Sequence, residues 1–333
     1  MKGGLSIPAV ITHYLMGKAS AGLLGDNEFM NSVKQYGDIF NLGAQGPDIL
    51  LFALGNKDLN KMGERIHGEG IGNFFAEGLK WIRKAAVHDG RSEIIAYMAG
   101  FICHYALDTC THPYIYYKSG FSDENGLLYG ESITSHRFLE TTIDCILCGK
   151  LEEKNPYSLN ISQKLRVGSK NRALIGRFLS DVISSSYGVF IYPEDFIKAM
   201  KDIVFVYRML RDKKGIKKTI ARIAGKLLRD YGAAEALIHY GPVKNLDYLN
   251  DQRNVWHYPW DDSIDINLSF MDLFKKAAED SRIYINAFAK AVNKQLDDKI
   301  VLSILGNKNF STGLESPVKF LYYNIEFQNA GKE

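Results

Sequence analysis

The stretch Gly100-Phe-Ile-Cys-His-Tyr-Ala-Leu-Asp-Thr-Cys-Thr-His-Pro-Tyr114 restricts what this chain can become more than any other. His104 and Asp108 are four residues apart, so on a helix they stand one above the other on a single face. His112 follows four later, but Pro113 steers the residue before it away from the α region. The spacing therefore predicts a helix that ends at His112, with two polar groups on its last turn and a third just beyond. An otherwise apolar helix carrying three ionisable groups in so short a stretch needs something to neutralise them once buried. A divalent metal ion does this with the fewest parts.

The 333 residues suffice for one large helical domain or two smaller ones, and 46% apolar with 24% charged residues is ordinary for a protein with a sizeable core. A net charge of +3 is too small to argue for nucleic acid. The four cysteines, Cys103, Cys110, Cys145 and Cys148, do not form a dense disulfide framework, which points to a reducing cytoplasm. Leu5 to Leu24 is fairly apolar but contains His13 and Lys18, so neither a signal peptide nor a transmembrane segment is expected.

In chain order, helices are expected over 8–24, 27–37, 73–88, Arg91 to Cys110, Glu131 to Cys148, 169–187, 194–212, 215–231 and 268–297. The last opens on Ser269-x-x-Asp272, a capping-box pattern. Gly43 to Leu50 reads as a turn feeding an apolar segment, with Asp48 at the junction. Lys57 to Gly72, rich in Gly, Lys and Asn, reads as loop, and 254–262 as an aromatic turn. No alternation of period two is long enough for a sheet, so the fold class is all-α. Residues 1–150 are expected to form a metal-binding catalytic core, with 151–333 a helical region packed on the same domain.

The first 140 residues hold His13, Asp48, His67, His104, Asp108, His112, His136 and Glu140. His136 and Glu140 repeat the spacing of four. Imidazole nitrogens with carboxylate oxygens suit zinc, and eight such groups exceed what one tetrahedral ion takes. Two or three ions are implied. Cys145-x-x-Cys148 stands alone and is read as packing, as are Cys103 and Cys110. His88 and His239 read as ordinary surface or helix-end residues, and Trp256, His257 and Trp260 as part of a packed loop.

These residues, in the order Thr12-His13, Gly46-Pro47-Asp48, His67, His104-Tyr105-x-x-Asp108-x-x-x-His112-Pro113 and His136-x-x-x-Glu140, resemble the zinc-dependent bacterial phospholipase C family, relatives of the S1/P1-type nucleases. The resemblance covers residues 12 to about 140 and implies a helical fold and hydrolysis of phospholipids to diacylglycerol and a phosphorylated headgroup. It also implies a division of labour. Asp48, His67, His104 and Asp108 would hold one zinc, and His112, His136 and Glu140 a second. Asp108 would bridge to a third bound by His13, and Asp48 would orient or deprotonate the attacking water. Glu69 is expected to steady the His67 ring. In the family, an N-terminal tryptophan completes the third site. Here the Met1 amine, twelve residues before His13, would have to serve. The spacing from Asp108 to His112 is shorter than the family's, and Ile49 and Glu64 stand where secreted members carry aromatics for a choline headgroup.

Two other functions compete. The related nucleases share the metal set, but the base-stacking pocket and disulfides they commonly carry are not legible here, so no specific nucleic acid is expected. A non-catalytic, metal-stabilised protein is the other. In it the basic stretch from Arg208 to Arg229, with Ile216, Ile220, Ile223, Leu227 and Leu228 at helical spacing, binds a membrane or a partner. The same stretch serves a phospholipase as a contact to its substrate's membrane surface, or packs its apolar side into the core.

Overall fold

The longest helix of the computed structural model, α7 (Arg91–Ser119), is buried on every side from Ile94 to Asp108. A helix apolar all round can only be a central one, and the chain is arranged about it. The structure describes residues 10–25, 28–85, 90–122, 128–129, 132–211 and 246–324. The expected helix at 215–231, most of the basic stretch, His88, His239 and Met1 lie outside these residues.

In order come α1 (Val10–Leu23), α2 (Glu28–Gln35), α3 (Gly37–Gly43), α4 (Asp48–Leu51), α5 (Lys57–Gly68) and α6 (Ile71–Lys84). After α7 follow α8 (Ser132–Glu152), α9 (Pro156–Leu159), α10 (Ile161–Lys164), α11 (Ser169–Tyr187) and α12 (Pro193–Leu210). The last two are α13 (Phe270–Val292) and α14 (Asp298–Leu305). Helices α1, α2, α3, α8 and α13 all pack on α7, while α11 bridges α6 and α12. The core is one continuous cluster running from Val10 to Phe310, so the C-terminal half shares it with the first.

The fold is all-α, with two short antiparallel hairpins among the described residues, β1 (Phe121–Ser122) with β2 (Leu128–Tyr129) and β3 (Trp256–Tyr258) with β4 (Asp261–Ile266). The second replaces the aromatic turn expected at 254–262. Trp256 is buried edge-on against Tyr114, which pins this hairpin to the end of α7.

Two further departures from expectation bear on the candidate site. Lys57 to Gly68 is helix, not loop: Asn56 caps it by accepting a hydrogen bond from the Leu59 N–H at 3.0 Å. Leu59, Met62, Gly63 and Ile66 are its buried face, a helical spacing that the many Lys, Asn and Gly residues obscure. Helix α7 also continues through Pro113 to Ser119 instead of stopping at His112. Proline removes one hydrogen bond, to the Thr109 carbonyl, but Tyr114 and Ile115 beyond it are core residues and hold the helical path. The helix stops at Gly120, whose N–H bonds the Tyr116 carbonyl at φ 78°. The Ser269 capping box is present in both directions, with Ser269 Oγ accepting from Asp272 N–H and the Asp272 carboxylate from Ser269 N–H.

All four cysteines are free thiols. Among the described residues, no helix is long and apolar enough to cross a membrane.

Helix α3 approaches α7 through two glycines. A Cβ at Gly100 would sit 2.2 Å from the Phe40 carbonyl oxygen, and one at Gly43 2.2 Å from that of Tyr97. This backbone-to-backbone contact carries the turn after α3, and with it Asp48, onto the polar end of α7. Substituting Gly100→Ala is expected to cost roughly 1–3 kcal/mol in urea unfolding, the usual penalty for overpacking. Gly22→Ala, where an added Cβ meets nothing within 4 Å, should leave stability unchanged or slightly raised. An equal response from the two variants would remove the close approach as a determinant of the fold.

Candidate metal centre

Five elements deliver polar side chains to one buried volume. Helix α1 brings His13 near its start, and that start is fastened from outside. The N–H groups of Ile11 and Thr12 and the Thr12 hydroxyl donate to the carboxylate of buried Asp144 at 3.1, 2.6 and 2.6 Å. A carboxylate at a helix N-terminus satisfies otherwise unpaired donors and complements the helix dipole. Asp144 lies on α8, four residues after Glu140 and eight after His136, so one face of α8 supplies two donors and the anchor of a third.

Asp48 opens α4 directly after Gly46 and Pro47. Gly46 has φ +51°, and a Cβ there would lie 2.5 Å from the His104 ring, so the turn must be glycine for both reasons. His67 lies in the last turn of α5, and His104, Asp108 and His112 form a ladder along α7.

The donor atoms converge. His104 Nε2 is 3.0 Å from Asp108 Oδ2, and His67 Nε2 is 3.0 Å from Asp48 Oδ1. His13 Nε2 stands between the two carboxylates, 3.6 Å from Asp48 Oδ2 and 3.5 Å from Asp108 Oδ1. The His13 and His104 rings stack at 4.1 Å. Asp108 Oδ2 is also 3.9 Å from His67 Nε2 and 3.9 Å from His112 Nδ1, which makes it the hub. Glu140 Oε1 takes the other end, 3.2 Å from His136 Nε2 and 3.5 Å from His112 Nε2. Among the described residues, three groups have donor atoms within 4.8 Å of one another: His13 with Asp48 and His104, His67 with His104 and Asp108, and His112 with His136 and Glu140.

These contacts suit shared cations better than hydrogen bonds. His67 Nδ1 lies 2.7 Å from the Gly63 carbonyl, which can only accept, so Nδ1 carries the proton. His112 Nδ1 likewise donates to the Phe310 carbonyl at 3.1 Å. In the neutral rings both Nε2 atoms then present lone pairs to carboxylates, an arrangement that calls for a positive charge between them. His13 Nδ1, Asp48 Oδ2 and both His104 nitrogens are buried without a hydrogen-bond partner. Zinc–nitrogen and zinc–oxygen bonds near 2.0–2.1 Å put two ligands of a tetrahedral ion about 3.3 Å apart. The separations above scatter about that value, so the donor set fits zinc.

Without an ion the charges distort one another. Burial, followed by the stacked His104, lowers the His13 pKa to about 4 against the pull of Asp108 and Asp48. Burial also opposes protonation of His112, but Asp108 and Glu140 outweigh it and raise its pKa to about 9. Burial works to keep Glu140 neutral, yet His136 and His112 hold its pKa at about 2. Asp108 is likewise held far below the usual carboxylate range, burial being outweighed by His104, His112 and His13.

All eight candidates from the sequence, His13, Asp48, His67, His104, Asp108, His112, His136 and Glu140, thus lie around one centre. Glu69 does not join them: its carboxylate pairs with Arg65 at 2.8 Å, and the Gly63 carbonyl orients His67 instead. Sequence reading missed Asp144, although its spacing of four from Glu140 was a usable signal. It also missed Phe310, for which no local pattern exists.

The sequence model of one family, described as zinc-dependent phospholipase C, matches residues 12–188. No curated protein and no solved structure matches the chain.

A pH dependence follows from the shifted groups. His13 is depressed from 6.5 to about 4, so the unfolded metal-free chain binds its proton first and stability falls as pH drops through that window. Glu140 extends the loss between 4.5 and about 2. His112 is raised from 6.5 to about 9, so its contribution is complete below 6.5 and disappears as pH rises through 9. Thermal melts of chelator-stripped protein should therefore peak near pH 6.5 and decline on both sides. Zinc loading should abolish the alkaline decline, because ligation needs the deprotonated ring. A metal-free melting temperature that stays level from pH 6.5 to 9 would contradict this assignment.

Proposed function

Because the chain belongs to the zinc-dependent phospholipase C family, whose model spans more than half of it, we propose that it hydrolyses phospholipids to diacylglycerol and a phosphorylated headgroup. The observation that supports this most is the convergence of three adjoining donor groups on one buried volume, joined through Asp108. Adjacent ions suit a phosphodiester, whose anionic oxygens repel a nucleophile and whose leaving oxygen needs stabilising.

In this reading Asp48, His67, His104 and Asp108 hold one zinc, and His112, His136 and Glu140 a second. His13 and Asp108 take part in a third. Bound zinc supplies neutralisation of the phosphate, acidification of water and stabilisation of the leaving oxygen. The chain's own contribution is orientation. Gly63 and Phe310 fix the tautomers of His67 and His112, and the Asp144 anchor holds His13. Asp48 Oδ2, which accepts no hydrogen bond in the structure, is the atom we assign to receive the proton of the attacking water. The phosphorus–oxygen bond to the diacylglycerol breaks as the new one forms, and the departing oxygen takes up a proton.

Such a substrate brings the protein to a lipid surface. The basic stretch beginning at exposed Arg208 is our candidate contact, although most of it lies outside the described residues. Free cysteines and the absence, among the described residues, of a helix able to cross a membrane fit a peripheral protein of a reducing compartment.

Zinc-loaded protein given vesicles of several headgroups, a bis-aryl phosphodiester and single-stranded DNA should release diacylglycerol and phosphorylated headgroup from the vesicles alone of the two biological substrates. Chelator should stop the release, and Asp48→Asn should slow it by about 10²- to 10⁴-fold, the usual worth of a general base. Turnover of DNA without lipid would move the chain to the nuclease reading. Stoichiometric zinc with no turnover of any substrate would leave a metal-stabilised binding protein.

A further inference from the structure

The family match stops at residue 188, yet a segment more than a hundred residues later is built into the centre. After α14 the chain returns as an irregular strap, Gly306 to Leu314, and packs against the donor cluster at His67, His104 and His112. Phe310 is fully buried there. Its N–H donates to the His67 carbonyl at 2.9 Å and its carbonyl accepts from His112 Nδ1 at 3.1 Å. Its ring meets His67, His104 and Tyr105 with centroids 5.0, 5.7 and 5.2 Å away. One residue thus touches donors of two groups that the sequence separates by 45 positions, His67 and His112.

The strap is tied down on both sides of that contact. The Lys308 N–H donates to the Tyr105 hydroxyl, and Asn309 Nδ2 to the Gly68 carbonyl at 3.0 Å. Ser311 Oγ lies 3.3 Å from the hydroxyl of Tyr116, the next rung of the α7 ladder after His112. Gly313, at φ +69°, packs where a Cβ would be 2.4 Å from the Thr109 carbonyl oxygen. That is the carbonyl which Pro113 leaves without its helical partner. The break in the α7 hydrogen-bond ladder is therefore a place where the strap backbone comes close against the helix.

We propose that Phe310 is a positioning residue of the metal centre, and that the strap 306–314 completes a site whose donors all lie in the first half of the chain. It imposes one tautomer on His112, with Nδ1 protonated and Nε2 free toward Glu140 and His136. It also holds His67 and His112 at a fixed separation, so that the two groups are set relative to each other by a segment that supplies no donor. Partners of this kind that orient ligating imidazoles are worth about 10- to 100-fold in metal affinity.

The inference rests on zinc being bound by these residues, and its test separates the two claims. Zinc content of the full-length protein is measured, then the loss of zinc to a competing chelator is followed for wild type, Phe310→Ala, Gly313→Ala and Val318→Ala. Val318 lies four residues beyond the strap and is exposed. Phe310→Ala and Gly313→Ala should release zinc at chelator concentrations about 10- to 100-fold lower than wild type. Val318→Ala should match wild type. Long-range proton–nitrogen NMR of the zinc-loaded wild-type imidazoles should show His112 protonated at Nδ1 and metal-shifted at Nε2, a readout that needs no variant to fold. Wild type that binds no zinc overturns both the metal reading and this proposal. Zinc bound normally by wild type but released alike by all four proteins, or a His112 tautomer protonated at Nε2, overturns the strap's role alone.

Discussion

Buried carboxylates facing buried imidazole lone pairs are the constraint around which the molecule is arranged. Asp48, Asp108 and Glu140 are each nearly inaccessible, and in their neutral forms the His67 and His112 rings turn Nε2 lone pairs, not N–H groups, toward Asp48 and Glu140. Desolvating such groups is expensive unless positive charge is supplied at close range. A shell of apolar residues of equal volume would be easier to fold. That the chain instead gathers eight polar side chains from α1, α4, α5, α7 and α8 points to the use made of the charge they attract.

Much of this was legible beforehand because helical spacing of four is written directly in the sequence. His104 with Asp108, and His136 with Glu140, could be placed on helix faces from their numbers alone. The resemblance ordered the remaining donors. What escaped depends on contacts between distant segments. The α7 helix runs past Pro113 because Tyr114 and Ile115 are core residues, which outweighs a local preference to stop. Helix α5 was hidden because its apolar positions are few and its polar face is rich in residues that also make loops. Phe310 has no motif at all. It matters through its backbone groups and its burial, neither of which a residue letter reports.

The two halves of the chain do different things for one site. The candidate donors come from residues 13 to 140, while α13 lies along α7 and the strap packs on His67 and His112. The hydroxyl of Tyr105, one residue after His104, donates to the Leu305 carbonyl at 2.9 Å and accepts from Lys308 N–H at 3.1 Å. The same helix that carries the polar ladder thus also anchors the segment that covers it. This makes a separate folding of 1–150 physically costly, because Tyr105, fully buried in the whole chain, packs against Tyr284 and Phe310 beyond that boundary.

Packing and donors nevertheless remain distinct sets of residues. Helices α3 and α7 meet at Gly43 and Gly100, α6 and α7 at the stacked rings of Phe74 and Phe101, and α2 reaches α13 through Phe29 and Phe288. None of these is a candidate ligand. A small zinc domain uses its ion as the core and unfolds without it. Here the apolar core is continuous without the polar centre, so ion binding would add to a scaffold that burial already holds together. On the proposed reading, losing zinc would therefore cost the orientation of the donors and the balance of charge among them, not the fold itself.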